Sequence, residues 1–302
     1  MICERIVAMH SDKDAPIVVG IGELLWDLLP GGRQIGGAPA NFAYHAHALG
    51  AQGVLVSAVG EDSDGQELLM RLKPKGLNLD LVSILPGRPT GTVTVEVSGN
   101  GIPVYTIHEE VAWDYVPWTD AMESCAHEAD AVCFGTLAQR SPVSRYTIRR
   151  FLRATKPSCL RVLDVNLRQS YYDPSTIRES LALSNVLKLN DEELPVVAHV
   201  LGLTGSRDET LRRLCGRFSL RALALTRGEK GSLLMTPSET VDHPGVRVER
   251  IADTVGAGDS YAAALVMGLL RNDPPARICG QAAQTAAFVC AHQGAMPPYP
   301  ER

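Results

Sequence analysis

The sequence predicts an α/β protein built on a mostly parallel sheet, and three observations carry the prediction. Apolar runs of strand length recur along the chain, helical patterns separate them, and the chain is long enough to bury one large core. The runs are IVVGIG (17–22), GVLVSAVG (53–60), AVCFGT (131–136), LRVLDVN (160–166), NVLKLN (185–190) and LRALALT (220–226). Such unbroken apolar strands belong to sheets covered on both faces. Helical stretches fall near 38–49, 64–73, 142–154, 174–183, 191–199 and 206–216. A short strand, GSLLM (231–235), then precedes two long helices at about 257–271 and 274–291.

One region departs from this rhythm. Residues 91–108, GTVTVEVSGNGIPVYTIH, alternate on either side of SGNG, a hairpin signal with the residues that a tight turn requires. With 24–35 this hairpin forms either a small sheet standing off the body or an ordinary antiparallel edge.

Composition excludes several classes of function. The net charge is −5, with 29 basic and 34 acidic residues intermixed, so no basic stripe follows a nucleic-acid backbone. The seven cysteines (3, 125, 133, 159, 215, 279 and 290) are scattered without C-x-x-C spacing and read as small hydrophobes in a reducing compartment. No apolar run approaches a membrane span, and the first 16 residues carry acids and a proline where a secretory segment needs continuous apolar residues. The expectation is a soluble, cytoplasmic protein.

The familiar nucleotide fingerprints are missing. Gly20-Ile-Gly22 lacks the third glycine of a dinucleotide-binding turn, and Gly228-Glu229-Lys230-Gly231-Ser232 lacks P-loop spacing. No G-x-S-x-G elbow or H-E-x-x-H zinc spacing occurs.

Two glycine-rich stations remain. In DTVGAGDSYAAALVMGLL (253–270), Gly256, Ala257 and Gly258 lead into a helix with Asp259 in its first turn. An acid there suits the positive end of any helix, while the two glycines let backbone amides converge on an anion. In GGAPANFAYHAHALG (36–50), Gly36 and Gly37 precede a helix whose start carries Asn41, able to donate to and accept from a polyol. This too reads as a glycine-loosened helix start with Pro39 at an early position.

Together, in this order and at this separation, the two stations resemble the signature motifs of the ribokinase-like carbohydrate kinases of the phosphofructokinase B type. GELLWDLLP (22–30), AWD (112–114), DVNLR (164–168), KLNDEEL (188–194), LTRGEKGS (225–232) and GAMP (294–297) are similar to the fructokinase branch. The resemblance runs from about residue 17 to 297. It implies a three-layer α/β/α kinase domain over 17–302 with a small β lid from 24–35 and 91–108, and an N-terminal arm at 1–16. It also implies ATP, Mg²⁺ and a small sugar as ligands.

In that family the aspartate matching Asp259 takes the proton of the sugar hydroxyl, and the amides of Gly256, Ala257 and Gly258 form an anion hole for the moving phosphoryl group. Sugar binding falls to Asp27, Gly36, Gly37 and Asn41, with Asn166 and Arg168 lining the pocket. Val165 stands where the family pattern has proline. Nucleotide binding maps onto Asn190, Glu193, Thr226 and Gly228, the glutamate organising Mg²⁺. A monovalent cation, K⁺, maps onto Asp253, Val255 and Gly294. Lid length and composition vary most with substrate in the family, so Arg33, Arg88, Tyr105 and His108 could each change sugar preference, and a homodimer paired through the lid is compatible with the family. His45 and His47 read as packing or surface residues.

Overall fold

The computed structural model describes residues 15–97 and 103–300. The expected arm at 1–16 therefore lies almost wholly outside the described residues, as does the turn of the hairpin. Strands in chain order are β1 (Ile17–Ile21), β2 (Leu25–Leu29), β3 (Gly32–Gly36), β4 (Gln52–Gly60), β5 (Val82–Leu85), β6 (Gly91–Val97), β7 (Pro103–Ile107), β8 (Ala131–Phe134), β9 (Leu160–Asp164), β10 (Val186–Asn190), β11 (Ala222–Thr226), β12 (Ser232–Met235) and β13 (Thr240–His243). Helices are α1 (Ala38–Ala48), α2 (Ser63–Leu72), α3 (Asp120–Glu128), α4 (Pro142–Ala154), α5 (Pro174–Leu183), α6 (Glu193–Leu201), α7 (Arg207–Phe218), α8 (Ala257–Leu270) and α9 (Pro275–Cys290).

Nine strands form the central sheet in the order β13-β12-β11-β10-β9-β8-β1-β4-β5. All pairs from β5 across to β11 are parallel, and β12 and β13 close one edge antiparallel. Alternation along each strand decides which helix layer a side chain meets. In β1, Val18 packs with Phe42 of α1 and Leu265 of α8, while Val19 and Ile21 join Phe134, Ile148 and Phe151 on the opposite face. Helices α1, α2, α8 and α9 thus cover one face and α3 to α7 the other, the three-layer arrangement expected.

Three elements carried no clear signal in sequence. Strand β5 is four residues long, β13 has one apolar residue in four, and α3 has only Met122 and Ala126 buried. Edge strands and a helix with so narrow an apolar face leave little periodicity to read.

The two segments that broke the rhythm meet in a separate four-stranded sheet, β3-β2-β6-β7, with β2 and β6 parallel and both hairpin pairs antiparallel. Its inner face carries Leu25, Val93, Val95 and Ile107, which join the core that holds Trp113. The free edge of β7 is tied to the loop after β9, where Gln169 Nε2 donates to the Tyr105 carbonyl at 2.6 Å and the Tyr171 hydroxyl to the Ile107 carbonyl at 3.1 Å. Such bonds cover part of an otherwise open edge. Behind it Arg140 donates to both oxygens of Asp114, at 2.8 and 2.9 Å, in a buried ion pair. Among the described residues no helix is long and apolar enough to cross a membrane.

Candidate active site

The two glycine stations, more than 200 residues apart in sequence, meet at the carboxyl ends of the parallel strands. Helices α1 and α8 lie side by side on one face of the sheet, which brings their N-termini together. Asn41 Nδ2 donates to Asp259 Oδ2 at 2.7 Å, and the Oδ1 of Asn41 is buried without a partner. This hydrogen bond joins the stations directly.

Glycine is required at both turns. Gly37 has a φ of 113°, and a Cβ there would lie 2.4 Å from the Glu23 carbonyl. Gly256 has a φ of 79°, and a Cβ would meet the Ala295 carbonyl at 2.7 Å. Both positions combine a left-handed backbone with close approach of another chain segment, which no other residue type meets without strain. In the second turn the Ala257 amide donates to the Thr254 carbonyl at 3.3 Å.

Asp27 lies on β2 with its side chain over Gly36, where a Cβ would sit 2.3 Å from Oδ2. Pairing of Asp27 with Gln34 puts both on one face of the small sheet, and Leu28 opposite Arg33 puts Arg33 on the other. Arg33 stacks on Trp26 at 4.5 Å and binds Asp64 and Glu67. Arg88 binds Glu110 at 2.8 Å and stacks on Tyr115. Both arginines are engaged by carboxylates and aromatic rings of this chain. Gln34, on the Asp27 face, has its Oε1 3.6 Å from where a Cβ on Gly294 would be. Tyr105 is 54% exposed, and His108 bonds Thr94 at 2.9 Å.

Acids dominate the electrostatics. Burial raises Asp259 to about 6, helped by nearby Asp164 and opposed by Asn41, Lys188 and Arg168. Burial also raises Asp27 to about 6, against the pull of Arg168. Glu23, fully buried beside Asp259, is raised by desolvation to about 7, and its Oε2 has no partner. The Arg168 charge acts on all three acids, although Arg168 itself is exposed. Asn166, two residues earlier, adopts a left-handed φ of 41° that asparagine tolerates better than most residues. The next amide, of Leu167, reaches Glu193 Oε1 at 3.0 Å.

The raised acids make a pH prediction with a definite sign. Between about 4.5 and 7 folded Glu23 keeps a proton that the unfolded chain has lost, so stability is full below that window and falls as pH rises through it. Asp27 and Asp259 act in the same direction between 3.8 and about 6. Glu23→Gln removes the largest contribution, on the order of 3 kcal/mol, and flattens the fall in melting temperature from pH 5 to pH 8. An unchanged slope in the variant would contradict this assignment.

The nucleotide candidates lie together one strand over. Asn190 and Thr226 are partners in register at the ends of β10 and β11. Asn190 Oδ1 caps the amides of Glu192 and Glu193 at 2.9 and 2.8 Å, and Glu193 Oε2 accepts from the Asn190 amide at 2.9 Å. Thr226 Oγ1 donates to the Leu189 carbonyl at 3.4 Å. Gly228 has a φ of 57° with open space where a Cβ would point.

At the mouth, Asp253 accepts from the Val255 amide at 3.0 Å and the Gly294 amide at 3.1 Å, tying the turn before α8 to the C-terminal loop. Val255 is exposed, and the Gly294 φ is 77°. His45 is a packing residue as expected, buried between the Tyr299 hydroxyl and the Ala295 carbonyl, each 2.9 Å away. Three charged residues escaped the sequence reading as site members: Glu23, Asp164 and Lys188. Lys188 stands in the middle of an apolar strand, and a buried lysine requires a partner, which was the available signal.

The chain thus has a three-layer fold in which two glycine-led helix starts are joined by the bond from Asn41 to Asp259. The model of the pfkB family carbohydrate kinases matches residues 31–302, and the chain belongs to that family. It is a carbohydrate kinase of ribokinase-like fold. An uncharacterized sugar kinase of Pyrococcus horikoshii is 30% identical over 274 residues, covering 84% of this chain and 83% of the relative. Its crystal structure superimposes with a TM-score of 0.78 over 93% of each chain, and its complex with ATP with the same score over 93% of this chain and 94% of the other. A fructokinase of Klebsiella pneumoniae is 29% identical over 292 residues, 88% of this chain and 92% of the relative. A 5-dehydro-2-deoxygluconokinase of Bacillus anthracis is 25% identical over 247 residues, 79% and 74% of the two chains.

Proposed function

We propose that this protein is an ATP-dependent sugar kinase that transfers the γ-phosphoryl group to a hydroxyl of a small neutral sugar, with fructose the leading acceptor. The observation that carries the reading is the 2.7 Å bond from Asn41 to Asp259, which puts a polyol-binding amide and a carboxylate at one point beside the N-terminus of α8. Asp259 takes the hydroxyl proton as the oxygen attacks phosphorus, a role worth roughly 10²–10⁴ in rate. The amides of Gly256, Ala257 and Gly258, that of Ala257 giving up its 3.3 Å bond to the Thr254 carbonyl, receive the charge that develops on the phosphoryl oxygens. Asp27, Gln34 and Asn41 hold the sugar, with Gly36 and Gly37 giving it room and Asn166 and Arg168 closing the side.

Asn190, Thr226 and Gly228 line the nucleotide side. The residues present fit Mg²⁺ held through water: each Glu193 oxygen already accepts one backbone amide and keeps a lone pair for a hydrated ion. When bound, Mg²⁺ neutralises charge on the phosphates. Asp253, Val255 and Gly294 join two backbone turns, an arrangement that suits carbonyl ligation of K⁺. The small β2-β3-β6-β7 sheet acts as a lid over the sugar, excludes water, and offers its outer face to a second copy.

Charge favours a neutral acceptor. Arg33 and Arg88 are engaged elsewhere, whereas Glu23, Asp27, Asp253 and Asp259 crowd the sugar side. The reading for a sugar acid rests on Arg168, which forms no salt bridge among the described residues and is an available carboxylate partner. An acceptor panel with Mg²⁺-ATP decides, read as ADP release with fructose, ribose, a ketodeoxy sugar acid, a nucleoside and a phosphosugar. Turnover should be fastest with a neutral sugar. Fastest turnover with the sugar acid selects the second reading, and release independent of any acceptor contradicts both.

A further inference from the structure

Lys188 and Asp164 are partners in register on β10 and β9, so their side chains lie on the same face of the sheet. Lys188 Nζ is 2.9 and 3.0 Å from the two Asp164 oxygens, and both side chains are more than nine-tenths buried. The ammonium does not sit in the general core. It lies 3.0 Å from the place a Cβ on Gly258 would occupy, against the first turn of α8. Its charge acts on Asp259 on one side and Glu193 on the other. An ammonium has three N–H donors. Among the described residues Asp164 is its only hydrogen-bond partner, which leaves one donor for a ligand.

A buried ion pair is a weak source of stability, since apolar replacement of both partners is often neutral. Stability alone therefore gives little reason to keep a lysine against the anion-hole glycine. We propose that Lys188 is a catalytic residue on the phosphoryl side, whose third N–H donates to an oxygen of the transferring group while Asp164 holds the ammonium in place. This rests on the kinase reading above. In the transfer the acceptor oxygen–phosphorus bond forms as the bond from phosphorus to the ADP oxygen breaks, and the hydroxyl proton passes to Asp259. Lys188 keeps its proton throughout and acts by charge and hydrogen bonding alone.

Three full-length variants test this: Lys188→Met, the charge-free pair Asp164→Asn with Lys188→Met, and Lys188→Arg. Lys188→Met should lower kcat by about 10²–10³-fold with sugar and nucleotide affinities changed far less. The double variant, which leaves no unpaired buried charge and guards against misfolding of the single one, should melt cooperatively and stay as slow. Lys188→Arg should recover part of the loss. A second readout needs no acceptor: ADP should bind more tightly to the parent with aluminium fluoride, a stand-in for the moving phosphoryl group, and both Met variants should lose that increment. This separates failure of the lysine assignment from a wrong acceptor. Parental kcat in the double variant, or an intact aluminium fluoride increment, would overturn the proposal by reducing Lys188 to a counter-charge for Asp164.

Discussion

Replacing Asp259 by Asn should cut turnover by roughly 10²–10⁴-fold while sugar binding changes little. Asparagine keeps the shape of the side chain, and its carbonyl can still accept the 2.7 Å bond from Asn41, so the pocket stays assembled. What it loses is the capacity to take a proton. Burial puts the Asp259 carboxyl at about 6, so it is ionised at neutral pH yet basic enough to receive a proton from an alcohol as the phosphorus bond forms. Steady-state kinetics beside calorimetric sugar binding separate the effects. Loss of binding in step with loss of turnover would make Asp259 a sugar ligand only, and unchanged turnover would remove it from the chemistry.

Gly256→Ala should damage rate and stability together. The backbone at 256 is left-handed, and the new methyl would lie 2.7–2.9 Å from the carbonyl oxygen, Cα and Cβ of Ala295. Either the turn before α8 or the C-terminal loop must move, at a cost of about 1–3 kcal/mol. Movement of that turn displaces the amides proposed to meet the phosphoryl oxygens, and loss of one such donor costs about 10²–10³ in kcat. Gly228→Ala provides the comparison, since it shares the positive φ but faces open space. Equal kcat for the Gly256 variant and the parent, at a temperature where both are folded, would show that the turn does not serve the reaction.

How far the molecule could be read in advance depended on what kind of information each feature leaves in the chain. The interior strands were legible because burial on both faces forces unbroken apolar runs, as in Ala222–Thr226. The polar edge strand Thr240–His243 left no such run. The glycine stations were legible because a left-handed turn and a close approach exclude almost every other residue type. Which of Arg33 and Gln34 shares a face with Asp27 was not legible, because strand register decides it and puts adjacent residues on opposite faces. Lys188 and Asp164 went unread for the same kind of reason: they are 24 residues apart, and only parallel pairing of their strands makes them neighbours. Glu23, next to a glycine at the end of β1, looked like any loop acid until its burial beside Asp259 was seen.

In the proposed reaction Asp259 meets the acceptor hydroxyl at the N-terminus of α8. The slow Asp259→Asn protein allows a direct measurement, a crystal structure of that variant trapped with Mg²⁺-ATP and fructose. The account predicts residue 259 within about 3 Å of one sugar hydroxyl, with that oxygen in line with the γ-phosphorus and the amides of 256–258 on its oxygens. A sugar bound with every hydroxyl out of reach of residue 259, and the γ-phosphate away from that turn, would contradict it.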